Sequence, residues 1–116
     1  MDLGSPTAVT VLNGDTGFDG YDPDPNVVFR VIGFTRSLAR EVIGDGISVN
    51  CIAPGAIATG ILPSTPDEDA EILQGIPAGR FGRPDEIAPT AVMLASRDGD
   101  FYVGQVLSPN GGEVML

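Results

Sequence analysis

Two short runs, AVTVL at residues 8–12 and ISVNCI at 47–52, constrain this chain most. Both are apolar and rich in β-branched side chains, and both are too short to be buried helices. Between them the pattern changes to helical spacing. Val27, Val28, Val31, Leu38 and Val42 recur along it, Ile32 and Phe34 widen the apolar surface, and Arg36, Arg40 and Glu41 lie outside. Asp24-Pro25 suits a helix start, because Asp accepts orphan amide protons and Pro lacks an N–H that would go unpaired there. The spacing predicts a helix over 27–43, ended by Gly44 and turned by Asp45-Gly46. Strands joined through a helix cannot form a hairpin, so the two runs are expected to lie parallel.

The remainder continues the alternation. Thr65-Pro66-Asp67-Glu68 has the form of a capping box and opens a short helix at 66–73, closed by Gly75. A further helix is expected at 84–96, from Pro84 to Ser96, and a last strand at 105–108 before the Pro109-Asn110-Gly111-Gly112 turn. The expectation is an α/β fold in a single domain spanning 1–116, with three parallel strands and flanking helices. At 116 residues and 42% apolar content the core is small, which favours association with another chain or with itself.

Charge excludes several functions. Sixteen acids face six arginines, giving a formal net charge of −10. Such a surface repels phosphate backbones and anionic lipid, so neither nucleic acid nor membrane is an expected partner. The chain has no histidine and no lysine, which excludes Ser-His-Asp and Cys-His catalysis and a lysine Schiff base within it. Cys51 alone makes neither a disulfide framework nor a thiolate metal cage. The start, MDLGSPTAV, lacks the basic and long apolar regions of a signal peptide. No run approaches the ~18 apolar residues of a membrane span, so a cytoplasmic location is expected.

The acidic variable loop at 15–26, DTGFDGYDPDPN, holds four aspartates, two glycines and two prolines. Oxygen ligands from Asp15, Asp19, Asp22 and Asp24 would suit a hard cation, but the spacing is not that of an EF-hand, and no metal is expected. A carboxylate in an apolar pocket can be raised towards neutrality and serve as acid or base, a role open to Asp15 beside Tyr21.

Four blocks, IGFTRSLAREV, GISVNCIAPGAIATGI, IPAGRFGRPDEIAPTAVMLAS and YVGQVLSPNGG, span residues 32–112. Together they resemble, in order and spacing, the C-terminal half of a short-chain dehydrogenase/reductase. The resemblance implies a half-Rossmann unit, with 8–13 matching the strand that carries the catalytic serine and 27–43 the helix that carries the Tyr-x-x-x-Lys pair. The catalytic identities are not retained. Counting back from Gly33, the lysine position falls on Val28 and the tyrosine position on Asp24, while the serine position falls on Gly14, beside Asn13 and Asp15. The TGxxxGxG-type dinucleotide loop is not found either. What persists is Pro54-Gly55-Ala56-Ile57-Ala58-Thr59. The resemblance implies that Pro54, Gly55, Ile57 and Thr59 line a nicotinamide pocket, although Pro-Gly after a buried strand is also simply a turn.

These residues support a short-chain-dehydrogenase-derived protein that binds a small molecule, with Asn13 and Gly14 in the substrate pocket and Asp15 and Tyr21 as catalytic candidates. A non-redox reaction of isomerase, dehydratase or cyclase type is one reading. A truncated or split NAD(P)-dependent oxidoreductase is a second. A regulatory or structural subunit pairing with a full-length family member is a third. No cofactor is expected for the isolated chain, and NAD(P) is expected where oligomerisation or a partner restores the activity. The resemblance also implies a homo-oligomer, dimer or tetramer, through the helix at 27–43 and the last helix and strand.

Overall fold

The computed structural model describes residue 4 and residues 6–11, 25–59 and 65–115. Among them are three strands, β1 (Thr7–Val11), β2 (Ser48–Ile52) and β3 (Val106–Leu107), in one sheet of order β1-β2-β3. Both pairings are parallel, with Thr7 opposite Ser48, Val11 opposite Ile52 and Cys51 opposite Val106. Three α-helices accompany them: α1 (Pro25–Val42), α2 (Pro66–Gln74) and α3 (Pro84–Ala95). The expected α/β class and parallel sheet are found. No helix among the described residues is long and apolar enough to cross a membrane.

Strand β2 is the centre of the molecule, and every one of its five residues is buried. Val49, Cys51 and Ile52 supply the apolar surface that a strand covered on both faces requires. Ser48 and Asn50 are polar at the same depth, and both are satisfied. Ser48 Oγ lies 3.0 Å from Thr7 Oγ1. The Asn50 amide donates to the Tyr102 carbonyl at 2.9 Å, and its oxygen accepts from the Gln105 amide at 3.0 Å. Asn50 thus ties the segment leading into β3 against the middle strand.

The boundaries differ from expectation in instructive ways. Helix α1 begins at Pro25 rather than 27 and ends at Val42, and the chain continues as a 3-10 turn at Ile43–Asp45. The left-handed terminator is Gly46, at φ 76°, so Gly44 is passed without stopping the coil. Strand β3 is only two residues long rather than 105–108, because Gln105 donates to the Asn50 side chain instead of to the ladder. Strand β1 is described over 7–11 rather than 8–12, β2 starts at 48 rather than 47, and α3 ends at Ala95 with Ser96 as its cap. Helix α2 runs one residue beyond the expected 73. Its capping box is present as read: Glu68 N–H donates to Thr65 Oγ1 and Thr65 N–H to Glu68 Oε2.

The buried face of α1 also differs. Among its described side chains Thr35 and Ala39 are buried, while Phe34 is 65% exposed and Phe29 72% exposed. Phe34 therefore widens no core surface. At about 100° per residue, Val31, Thr35, Leu38, Ala39 and Val42 share one side, and Phe34 is turned away from Thr35 by one step. Small residues on that side admit close approach, with the site of a Cβ at Gly104 only 3.4 Å from Ala39 Cβ.

Thr35 is fully buried, and its Oγ1 has no hydrogen-bond partner among the described residues. Replacing it with valine removes a buried polar group that gains nothing, and we expect Thr35→Val to raise unfolding stability by about 1 kcal/mol. In the same denaturant series Asn50→Ala is expected to cost about 2 kcal/mol, since it strips two backbone groups of their partner. A destabilised valine variant would show that Thr35 has a partner after all.

Candidate functional site

Strands β2 and β3 are parallel, so the loops that follow them leave the same end of the sheet. In open parallel α/β sheets this carboxyl end is where ligands bind. The loop after β2 is Ala53–Thr59 and the segment after β3 is Ser108–Val114, and the two are fastened together. Ala53 N–H donates to the Leu107 carbonyl at 2.8 Å and Gly55 N–H to the Pro109 carbonyl at 3.1 Å. Ser108 Oγ donates to the Ala53 carbonyl at 2.8 Å. Gly55 is required here, because a Cβ at that position would lie 2.8 Å from Asn110 Cβ.

Beyond Gly55 the loop runs beside Gly82. Ile57 and Gly82 form a parallel bridge in which Ala58 N–H donates to the Gly82 carbonyl at 2.9 Å and Gly82 N–H to the Ala56 carbonyl at 3.0 Å. In a parallel bridge the flanking residues supply the bonds on one side, so the N–H and C=O of Ile57 itself face away from Gly82. Neither has a backbone partner among the described residues. One free donor and one free acceptor therefore sit side by side at the carboxyl end of the sheet.

Behind the loop lies a cavity of about 150 Å³, lined by residues that include Ile57, Arg80, Glu86 and Asn110. Its far wall is an ion-pair cluster at the start of α3. Arg80 donates to both Glu86 carboxylate oxygens, at 2.7 and 2.8 Å, and the Arg83 backbone N–H donates to Glu86 Oε2 at 2.9 Å. The Arg80 guanidinium, then the Arg83 amide, hold the Glu86 carboxyl well below its ordinary 4.5, at about 2. Arg80 thus supports the start of α3 and the loop before it. A larger, shallow groove of about 840 Å³ runs along α3 to Ser96–Asp98. There the Ala95 carbonyl meets Gly4 before β1, so this groove leads away from the carboxyl ends.

Pro54, Gly55 and Ile57 are half-buried in this loop and Thr59 is exposed at its end. Asn13, Gly14, Asp15 and Tyr21 lie outside the described residues, as do Asp19, Asp22 and Asp24. The described residues therefore include the loop candidates, while the acid–base pair falls outside them.

A family model described as enoyl-(acyl carrier protein) reductase matches residues 4–113. The chain belongs to the short-chain dehydrogenase/reductase family. It is 46% identical over 87 residues to a 3-oxoacyl-(acyl-carrier-protein) reductase of Vibrio harveyi, covering 74% of this chain and 36% of that protein. It is 38% identical over 110 residues to an acetoacetyl-CoA reductase of Shinella zoogloeoides, covering 93% of this chain and 46% of that one. A crystal structure from Agrobacterium tumefaciens, described as a 2-deoxy-D-gluconate 3-dehydrogenase with bound NADP, superposes with a TM-score of 0.79 at 34% identity. That match covers 94% of this chain and 46% of the other. The chain spans less than half the length of the relatives it matches.

Because the Glu86 carboxyl is depressed in the folded chain, its contribution is complete above about pH 4.5 and is lost as pH falls towards about 2. The melting temperature of the wild type should exceed that of Glu86→Gln at pH 6, and the gap should close as pH approaches 2. A gap that is constant with pH would show that the ionised carboxylate is not what holds the loop.

Proposed function

We propose that this chain supplies the nicotinamide-facing loop of an NAD(P)-dependent oxidoreductase acting on a carbonyl substrate of the 3-oxoacyl thioester class. The remaining parts of that site, the dinucleotide-phosphate loop and the proton donor, come from another segment or polypeptide. The observation that carries this reading is the unpaired N–H and C=O of Ile57 beside the carboxyl ends of β2 and β3. A primary carboxamide offers a carbonyl oxygen and an NH₂ group, so it fits such a donor–acceptor pair with two hydrogen bonds. The names of the reductase relatives support the substrate class, and the NADP in the similar crystal structure supports the cofactor.

When bound, a reduced nicotinamide would supply a hydride to the carbonyl carbon of the substrate. Ile57 would orient the ring through its carboxamide. Pro54 and Gly55 would hold the loop's approach, and Thr59 would present its hydroxyl at the exposed end of the loop. The chain lacks lysine, so the proton that the product oxygen needs is not delivered by the family's usual Tyr-Lys pair from within it. A sheet edge is also open: no described residue pairs with the side of β1 that faces away from β2. That edge suits the missing portion of the sheet. The non-redox reading rested on Asp15 and Tyr21, and no described residue supports it.

Titration with nicotinamide mononucleotide and with nicotinic acid mononucleotide, followed by NMR at the Ile57 amide, tests the reading. The acid presents a carboxylate that cannot donate to the Ile57 carbonyl. The amide form should therefore bind about tenfold more tightly, the equivalent of one lost hydrogen bond. Equal affinities, or no response at Ile57, would overturn the assignment.

A further inference from the structure

We infer that Asn110 is a positioning residue for the Ile57 loop, an inference that rests on the nicotinamide reading above. Ala56 is buried at the base of the loop, but Ile57 borders the 150 Å³ cavity, whose wall includes Asn110 itself. Packing is interrupted on that side, so hydrogen bonds help to fix the height of the loop.

Two of those bonds come from Ser108 and Pro109, in a turn that one side chain holds. The Asn110 amide nitrogen donates to Ser108 Oγ at 3.1 Å and to the Val114 carbonyl at 2.9 Å, and its oxygen accepts from Gly112 N–H at 2.9 Å. All three bonds close the turn from Ser108 to Val114 on itself. The Ser108 hydroxyl in turn donates to the Ala53 carbonyl at 2.8 Å, and the Pro109 carbonyl accepts from Gly55 N–H at 3.1 Å. On the opposite flank of the loop the Gly111 carbonyl accepts from Ala78 N–H at 2.9 Å, which anchors the same turn to the segment before Gly82. Asn110 touches Gly55 closely and Ile57 not by any hydrogen bond, so it acts through the backbone of Gly55. Its effect on a ligand is indirect.

The test uses the full chain with Asn110→Ala and Asn110→Asp. The aspartate keeps the acceptor for Gly112 and loses both donated bonds, so it isolates the donors should the alanine variant fail to fold. Hydrogen exchange is read at Gly55, whose amide bonds to Pro109, and at Cys51, whose amide bonds to Gln105 within the sheet. Exchange at Gly55 should quicken at least tenfold while that at Cys51 is unchanged. In parallel, the preference for nicotinamide mononucleotide over its acid analogue should collapse to near unity at temperatures well below unfolding. A residue with a merely structural role would lower the melting temperature and speed both amides while leaving the preference intact, and that result would overturn the inference. If the wild type shows no preference, the nicotinamide reading fails, and the Gly55 exchange alone still decides whether Asn110 holds the loop.

Discussion

Strand β2 is shut away from water along its whole length, and that burial sets the terms for the elements around it. A strand covered on both faces gains from each apolar side chain, roughly 1.5–3 kcal/mol for a fully buried Val or Ile. It must also find partners for every polar group it carries inside. Asn50 meets this demand by reaching the Tyr102 carbonyl and the Gln105 amide, in a segment more than 50 residues further along the chain. Those bonds place β3 beside β2, and the ladder needs only two residues of β3 to continue. Because β2 and β3 are then locked side by side and parallel, the loops that follow them emerge together. The candidate site exists at that junction because of Asn50.

The loops repeat the same logic at the surface. Where packing is dense, as at Val49 and Ile52, side-chain volume fixes the backbone. Where a cavity borders the chain, as at Ile57, polar ties from the loop to Ser108, Pro109 and Gly82 take over. Both hydrogen-bonding positions of the bridge are filled by Ala56 and Ala58, so the Ile57 N–H and C=O face away from Gly82 with no backbone partner among the described residues. The Arg80–Glu86 pair gives the far side of the cavity a rigid wall, although as an exposed pair it supplies geometry more than stability.

Much of the fold was legible in the residues because its signals are local. The β-branched run before Pro54, the Thr65 capping box and the proline helix starts depend on neighbours within four positions, and each is found in the structure. The helical face of α1 was only half legible. Periodicity identified a helix, but Phe34 was counted with its apolar surface, whereas Thr35 and Ala39, the latter close to Gly104, lie inside. The site was legible as the stretch Pro54–Thr59 and no further. Asn110 and Glu86 carried little signal, since an Asn-Gly-Gly turn and an Asp-Glu helix start are common in their own right.

The sequence by itself determined the order of strands and helices, their parallel arrangement and the absence of a lysine for proton transfer. Each follows from composition or from spacing along the chain, which neighbouring residues decide among themselves. Only the tertiary structure decided which side of α1 is buried, how short β3 is and which backbone groups of the loop stay free. These depend on hydrogen bonds and contacts between residues far apart in the chain, such as Asn50 with Gln105 and Gly55 with Pro109. No local pattern encodes a partner at that distance, because the partner's position is fixed only when the sheet has formed.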